Sequence, residues 1–494
     1  MNKTSIIVKD LVIKTQGDTV LDGISFSLQQ NQHLALLGNA GSGKTALLKA
    51  LSGSMNYNGK ICLNSSSEKT HVEIVEQRYS FKNLCGISDF YYQQRFNSFD
   101  SDDAPTVYEE LIKASSNASE QAKNIDSTLT ILGIEHLKNS SLIQLSSGEH
   151  KRFQLAKALI NPPQFLFLDT PYTGLDVKGV KELNKLLIEV CANGTQIILI
   201  PGTFPIPEFI KKVAFIENKK LALFGNKEEF NADEFIRPAI NFDYNTDLLT
   251  LSNEISHFET IVEMKNIHLS YGTHTIFRNL GWKINQGEKW LLKGRNGSGK
   301  SSLLSMITGD HPQAYSNEIY LFGKRRGSGE SIWDIKQKTG FISPELHAYF
   351  DKNVSCFQAI GSGFFDTIGL FKKLSTAQYH IILQWLGFLQ LSHVSTKPLH
   401  SISVSLQRMI LLARALVKNP PLLVLDEPCQ GLDQKQSEQI ISLVDSICSG
   451  TNKTMIYVSH AERNIPGCVE KVFQLEKKGD QFYSVIEPAS LAVA

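Results

Sequence analysis

No run of apolar residues in this 494-residue sequence approaches the roughly 18 needed to cross a bilayer, so a role at a membrane calls for a partner. An excess of one charge is missing too. Lys and Arg number 50 against 49 Asp and Glu, which leaves no global basic field to draw in nucleic acid. The seven cysteines (Cys62, Cys85, Cys191, Cys356, Cys429, Cys448, Cys468) are odd in number and scattered. Without a C-x-x-C pair they give no zinc or redox motif and read as reduced thiols of a cytoplasmic protein. Charge interrupts Met1-Asn-Lys-Thr-Ser-Ile-Ile-Val-Lys-Asp10 before a signal-peptide core could form. What remains is the composition of an ordinary globular protein, 42% hydrophobic and 20% charged, at a length that suits two domains of roughly 200 to 250 residues each.

One eight-residue pattern occurs twice. Gly294-Arg295-Asn296-Gly297-Ser298-Gly299-Lys300-Ser301 lies between the apolar run Trp290-Leu-Leu and the helical pattern Ser302-Leu-Leu-Ser-Met-Ile. It fits G-x-x-x-x-G-K-[ST], in which glycines turn successive backbone N–H groups toward an anion and the Lys reaches the terminal phosphates. Gly38-Asn39-Ala40-Gly41-Ser42-Gly43-Lys44-Thr45 stands 256 residues earlier (294 minus 38). It too follows an apolar run, His33-Leu-Ala-Leu-Leu37, and opens a helical pattern. Strand, loop and helix is the context the motif requires, and its repetition predicts two α/β nucleotide-binding units in tandem.

Ser5 to Leu28 alternates apolar and polar residues, as opening strands do. From about Phe81 to Ser141 the pattern is helical, with Thr106-Val-Tyr-Glu-Glu-Leu-Ile and Ile125-Asp-Ser-Thr-Leu-Thr-Ile-Leu amphipathic. Leu145-Ser146-Ser147-Gly148-Glu149 follows; then, after Asn161-Pro-Pro, comes Phe165-Leu-Phe-Leu-Asp169, a buried parallel strand ending in a carboxylate. The expected domains are residues 1–227 and 260–494. Residues 228–259 between them carry eight carboxylates and only Arg237 as a cation, which reads as a solvated acidic linker that repels phosphate.

This order of phosphate loop, helical insert, L-S-G-G-Q-like motif, apolar strand with Asp, and Gly174-Leu-Asp176 resembles the ATP-binding cassette (ABC) ATPase domain. The second half repeats it with Leu422-Leu-Val-Leu-Asp426-Glu427, Gly431-Leu-Asp433 and Ser459-His460. The resemblance spans nearly the whole chain. It implies a P-loop NTPase fold, two tandem cassettes each with a helical subdomain, and the use of ATP and Mg²⁺. Thr308 to Asn317, Leu321 to Glu330 and Ile332 to Lys336 are similar to the second cassette of soluble tandem members of that family associated with molybdate-transport genes.

Cassettes of this family sandwich two nucleotides head to tail, each held by the phosphate loop of one cassette and the signature motif of the other. The resemblance therefore implies an intramolecular dimer with two composite sites. At the second loop it assigns Lys300 to the β and γ phosphates and Ser301 with Asp426 to Mg²⁺, with Ser302 beside them. It also assigns Glu427 as general base, His460 as the γ-phosphate sensor and Tyr271 as the adenine-stacking ring, and Ser146 and Gly148 of the first signature complete the site. At the first loop Lys44, Thr45, Asp169 and Gln77 retain nucleotide and Mg²⁺ binding. There Thr170 stands in place of the base, Gly202 in place of the His, Thr15 in place of the ring, and Ser405 in place of the close-approach Gly of Ile402-Ser-Val-Ser-Leu406. The expectation is a hydrolysing second site and a first site that binds ATP, if at all, as a slow clamp. Pro344 falls where the second cassette's Gln belongs, and Pro offers neither a side-chain amide nor a backbone donor.

Lys324-Arg-Arg326 reads first as a solvated turn and second as a phosphate or nucleic-acid contact. Phe90-Tyr-Tyr-Gln-Gln-Arg95 reads as core packing or as a partner-docking surface. The leading expectation is a cytoplasmic ATPase with no nucleic-acid partner. The rivals are the energising subunit of a membrane permease, held at the inner face of the membrane by its partner; a ribosome or nucleic-acid factor, against which the acidic linker speaks; and an ATP-operated switch with negligible turnover, for which Pro344 speaks.

Overall fold

The computed structural model describes residues 4–15, 18–39, 41–64, 70–76, 105–115, 121–142, 145, 147–175, 177–202, 204–229, 257–271, 274–351, 353–432, 434–449, 451–459, 464–478 and 481–488. The chain divides into two compact units, the first built mainly from residues up to Pro238 and the second mainly from Ala239 onward.

The first unit runs β1 (Thr4–Thr15), β2 (Asp18–Gln29), β3 (Leu34–Gly38), α1 (Lys44–Leu51), β4 (Asn58–Leu63), β5 (Val72–Val75), α2 (Val107–Ala114) and α3 (Gln121–Ile131). Then come α4 (Ser147–Leu159), β6 (Phe165–Asp169), α5 (Val177–Ala192), β7 (Gln196–Ile200), β8 (Lys212–Glu217) and β9 (Lys220–Asn226). Strands β2-β1-β4 form an antiparallel sheet. The order β5-β6-β7-β3-β8-β9 forms a second sheet, parallel except for its last strand.

Every residue of β6 and β7 is buried, which is the reason their sequences show no polar alternation. Successive residues still point to opposite faces. Leu166 and Leu168 pack among helix residues such as Phe153 and Leu187. Phe165 and Phe167 pack with Leu47 of α1 and Ile6 of β1. In β1 a left-handed residue, Asp10 (φ 49), shifts the register between Val8 and Leu11, so that Ile6 and Val8 before it and Leu11 and Ile13 after it all enter one core.

The second unit runs β10 (Thr260–Tyr271), β11 (His274–Asn285), β12 (Lys289–Gly294), α6 (Lys300–Thr308), β13 (Glu318–Leu321), β14 (Lys324–Arg325), α7 (Ile332–Lys338), β15 (Thr339–Ile342) and α8 (Pro344–Tyr349). It continues α9 (Cys356–Gly361), α10 (Thr376–Phe388), α11 (Val404–Leu416), β16 (Leu422–Asp426), α12 (Gln434–Ser449), β17 (Thr454–Val458), β18 (Lys471–Lys478) and β19 (Gln481–Pro488). Here the antiparallel and parallel parts join into one ten-stranded sheet, β14-β13-β10-β11-β19-β18-β12-β17-β16-β15. Its parallel segment β12-β17-β16-β15 repeats β3-β7-β6-β5, and Asn266 (φ 50) repeats the kink of Asp10. Serines reciprocally bonded to a residue three positions on open α7, α9 and α10. Among the described residues no helix is long and apolar enough to cross a membrane.

Candidate functional site

Each phosphate loop leaves the tip of a parallel strand, β3 or β12, and ends on a left-handed glycine that caps the following helix: Gly43 at φ 98 and Gly299 at φ 85. A Cβ there is strained by the backbone and would also sit 2.5 Å from Leu21 or Phe277, so the motif's last glycine is required twice over. The lysines curl over their own loops. Lys44 Nζ donates to Gly38 O and Asn39 O, both at 2.7 Å, and Lys300 Nζ to Gly294 O at 2.7 Å and Arg295 O at 3.0 Å. Ser298 Oγ is buried and has no hydrogen-bond partner among the described residues. A Cβ on Gly294 would come within 2.6 Å of it. A narrow backbone cradle, an orphan hydroxyl and an ammonium at the mouth together fit a phosphate chain.

The strand ends bring carboxylates up to the loops. Thr45 Oγ1 donates to Asp169 Oδ2 at 2.6 Å. Burial raises the Asp169 carboxyl pKa, opposed by that hydrogen bond and by the charges of Lys151 and Lys44. A hydroxyl beside a carboxylate is the donor set a hard divalent cation such as Mg²⁺ takes. Asp426 closes β16 opposite Val458 of β17, as Asp169 closes β6 opposite Ile200 of β7.

The next residue differs between the two units. Glu427 (φ 45) and Thr170 (φ 49) share a left-handed backbone, and each donates its N–H to the neighbouring strand's last carbonyl, Val458 O at 3.1 Å and Ile200 O at 3.0 Å. Such a conformation costs about 1–3 kcal/mol for a non-glycine residue. Glu427 presents a carboxylate whose Oε2 accepts from Gln430 Nε2 at 2.6 Å. Thr170 presents a buried hydroxyl with no partner among the described residues. Its methyl lies 3.3 Å from where a Cβ on Gly202 (φ 69) would stand. The two positions that differ from the family's base and histidine therefore face each other in the first unit, a threonine over a glycine. Thr15 closes its hairpin against Asp18 as Tyr271 closes its own against His274, which makes these two positions equivalent.

The signature helices are α4 and α11. Gly148 is buried in the first turn of α4. Ser403 caps α11, its Oγ 3.1 Å from that of the buried Ser405. Pro344 proves to be the first residue of α8, where a missing N–H breaks no helical bond, and Ser343 caps that helix by accepting from Leu346 N at 3.0 Å. The α8 turn is tied to α11 by a buried His347 Nε2 to Gln407 Oε1 hydrogen bond of 2.7 Å.

The sequence reading missed Lys151. Its Nζ donates to Glu76 O at 2.6 Å and lies 3.5 Å from Asp169 O, and burial pulls its pKa down to about 8. It fixes the signature helix to the strand ends. Arg408, six residues after Ile402 as Lys151 is six after Leu145, reaches Ser343 O at 3.5 Å. No local signal singles it out, because the helix also carries Glu149, His150, Arg152, Gln154 and Lys157.

Ala40, Gln77, Ser146, His460, Phe90 to Arg95, the linker residues 230–256 and the side chain of Tyr271 lie outside the described residues. The Lys324-Arg-Arg326 turn needs correction. Lys324 and Arg325 are exposed, but Arg326 is buried in an ion pair with Glu330 at 2.8 Å, so its charge serves the fold.

The ABC transporter family matches residues 21–173 and 277–430. The ABC transporter ATP-binding protein ModF of Escherichia coli is 33% identical over 477 residues, covering 93% of this chain and 94% of that protein. An uncharacterized ABC transporter ATP-binding protein of Schizosaccharomyces pombe is 34% identical over 481 residues, covering 93% and 96%. Among solved structures, an archaeal ribosome recycling factor in complex with a ribosomal stalk protein aligns at TM-score 0.54 and 16% identity, covering 97% of this chain and 90% of that one, a likeness of fold. With both loops, both strand carboxylates and both signature helices in place, the chain belongs to the ABC transporter ATP-binding protein family as a tandem of two cassettes.

Proposed function

We propose that the chain is a tandem ATPase in which hydrolysis is confined to the second phosphate loop, while the first loop holds ATP without turning it over. The observation that carries this is the pair Glu427 and Thr170: equivalent backbones, equivalent N–H anchors, and a carboxylate on one side only. At the second loop Lys300 binds the terminal phosphates, and Glu427 takes the proton of the water that attacks the γ-phosphorus. His460 orients the γ-phosphate, Tyr271 stacks on adenine, and Ser146 and Gly148 of the first signature complete the pocket when the cassettes close on each other. Ser301 and Asp426 would hold Mg²⁺, which when bound neutralises phosphate charge. At the first loop Lys44, Thr45, Asp169 and Gln77 keep the binding groups. The methyl of Thr170 over Gly202 supplies no base.

Labelling with 8-azido-ATP, followed by proteolytic separation of the halves, tests this directly. Label on the γ-phosphate is expected to persist on the first half and to be lost from the second. Loss from both halves at matching rates would refute it.

A second reading, the energising subunit of a permease, is favoured by the names of the relatives as ABC transporter ATP-binding proteins. In that reading the protein is cytoplasmic and reaches the membrane through its partner. Co-purification of the Glu427→Gln variant, locked on ATP, with a membrane protein would select it.

A further inference from the structure

Away from the phosphate loop, the second unit contains a cavity of about 210 Å³ whose walls come from the end of α6, from α7, β15 and α8, from the turn 366–371 and from α11. It is smaller than the roughly 300 Å³ at which drug-sized pockets begin, so its occupant is a small fragment-like molecule. Two aromatic side chains stand at its rim and are left in water, Trp333 at 52% exposure and Phe371 at 75%. Its inner end is charged. Lys336 Nζ is 2.9 Å from Asp310 Oδ1. Arg414 Nη2 is 3.3 Å from Asp366 Oδ1, an oxygen that also faces Lys418 Nζ at 3.6 Å. Two carboxylates and two cations line this end, with Lys418 behind Asp366 as a third cation, and both lining cations, Lys336 and Arg414, are buried. Thr339, at 2% exposure and on the same wall, has a hydroxyl with no partner among the described residues. An apolar mouth, a surplus positive charge and an unspent hydroxyl complement a flat apolar body that carries one anionic group.

We propose that this cavity binds a small organic anion, an aromatic or branched aliphatic carboxylate, with its ring between Trp333 and Phe371 and its charge toward Lys336, Arg414 and Thr339. The pocket joins the far end of the phosphate-loop helix α6 to the signature helix α11, so its occupant bears on both elements that a nucleotide touches. Nothing in this depends on which of the two loops hydrolyses ATP.

Trp333 is the reporter. In the full chain without nucleotide, 2-naphthoate is expected to quench its fluorescence saturably, and the neutral 2-naphthamide is expected to bind at least tenfold more weakly. Lys336→Gln should cost a similar factor for the acid and little for the amide. Trp333→Phe should remove the signal and identify the reporter among the four tryptophans. Because Lys336→Gln leaves Asp310 without its cation, the exposed Phe371→Ala is the second variant; it is expected to weaken both probes with an unchanged melting temperature. Equal affinity for acid and amide would reduce the cavity to an apolar surface and overturn the proposal. So would the absence of quenching by either probe while a helix-forming apolar peptide quenches Trp333, which would make the groove a protein-docking site.

Discussion

Glu427→Gln isolates the proposed base with little disturbance of its surroundings. The amide has nearly the shape of the carboxylate, and its oxygen can still accept from Gln430 Nε2, now 2.6 Å from Oε2. Exchanging a charge-assisted hydrogen bond for a neutral one costs about 1 kcal/mol of stability, which a melting curve reads separately. The left-handed turn and its N–H bond to Val458 O lie in the backbone and are unaffected. The catalytic loss is far larger. A positioned general base contributes about 10² to 10⁴ in rate, equivalent to roughly 2.7–5.4 kcal/mol of barrier at 1.36 kcal/mol per tenfold. Single-turnover hydrolysis at saturating ATP is therefore expected to slow at least a hundredfold, with equilibrium binding of ATP preserved. A single-turnover rate within threefold of the unaltered chain, at equal bound nucleotide, would remove Glu427 from the reaction.

Thr170→Glu is expected to raise total turnover less than twofold, because Gly202 and Ser405 remain; a several-fold gain in steady-state ATPase would show that the carboxylate alone was limiting. Lys44→Ala should lower nucleotide bound per chain more than it lowers the single-turnover rate, read by filter trapping beside rapid quench. Asp169→Asn has a signed pH dependence. Burial raises this carboxyl's native pKa above its unfolded value, so the native state keeps a proton over a window where the unfolded chain has lost it, and stability falls as pH rises through that window. The amide removes this loss. The nucleotide-free variant should melt higher than the parent at pH 7, with the gain shrinking toward pH 4, while Mg²⁺-dependent ATP binding weakens; a lower melting temperature at pH 7 would contradict the assignment.

The parallel strands and phosphate loops were legible because local chemistry fixes them: an apolar run long enough for a buried strand, a glycine where only φ > 0 fits, a Lys and a hydroxyl at set offsets. The difference between Thr170 and Glu427 was legible too, since each directly follows its strand's Asp in the chain. Other features depend on how the backbone folds around them. Lys151 looks like a surface lysine until Glu76 O, 75 residues earlier, is found on its ammonium. Pro344 looks like damage to a sensor position until it proves to open a helix capped by Ser343. Arg326 looks solvated until Glu330 folds back on it. For Lys151 a distant neighbour decides the role; for Pro344 and Arg326 the deciding residue is one and four positions away, and the backbone fold brings it into play.

The kink shared by Thr170 and Glu427 has a consequence for what such strain is for. A distorted main chain at a catalytic residue is easily credited to catalysis, yet the first half pays for the same distortion with no carboxylate to aim. What the halves have in common there is the exit of one strand locked to the tip of the next. The bend therefore belongs to the way these sheets end, and the chemistry proposed for the second half would make use of a geometry that the architecture already imposes.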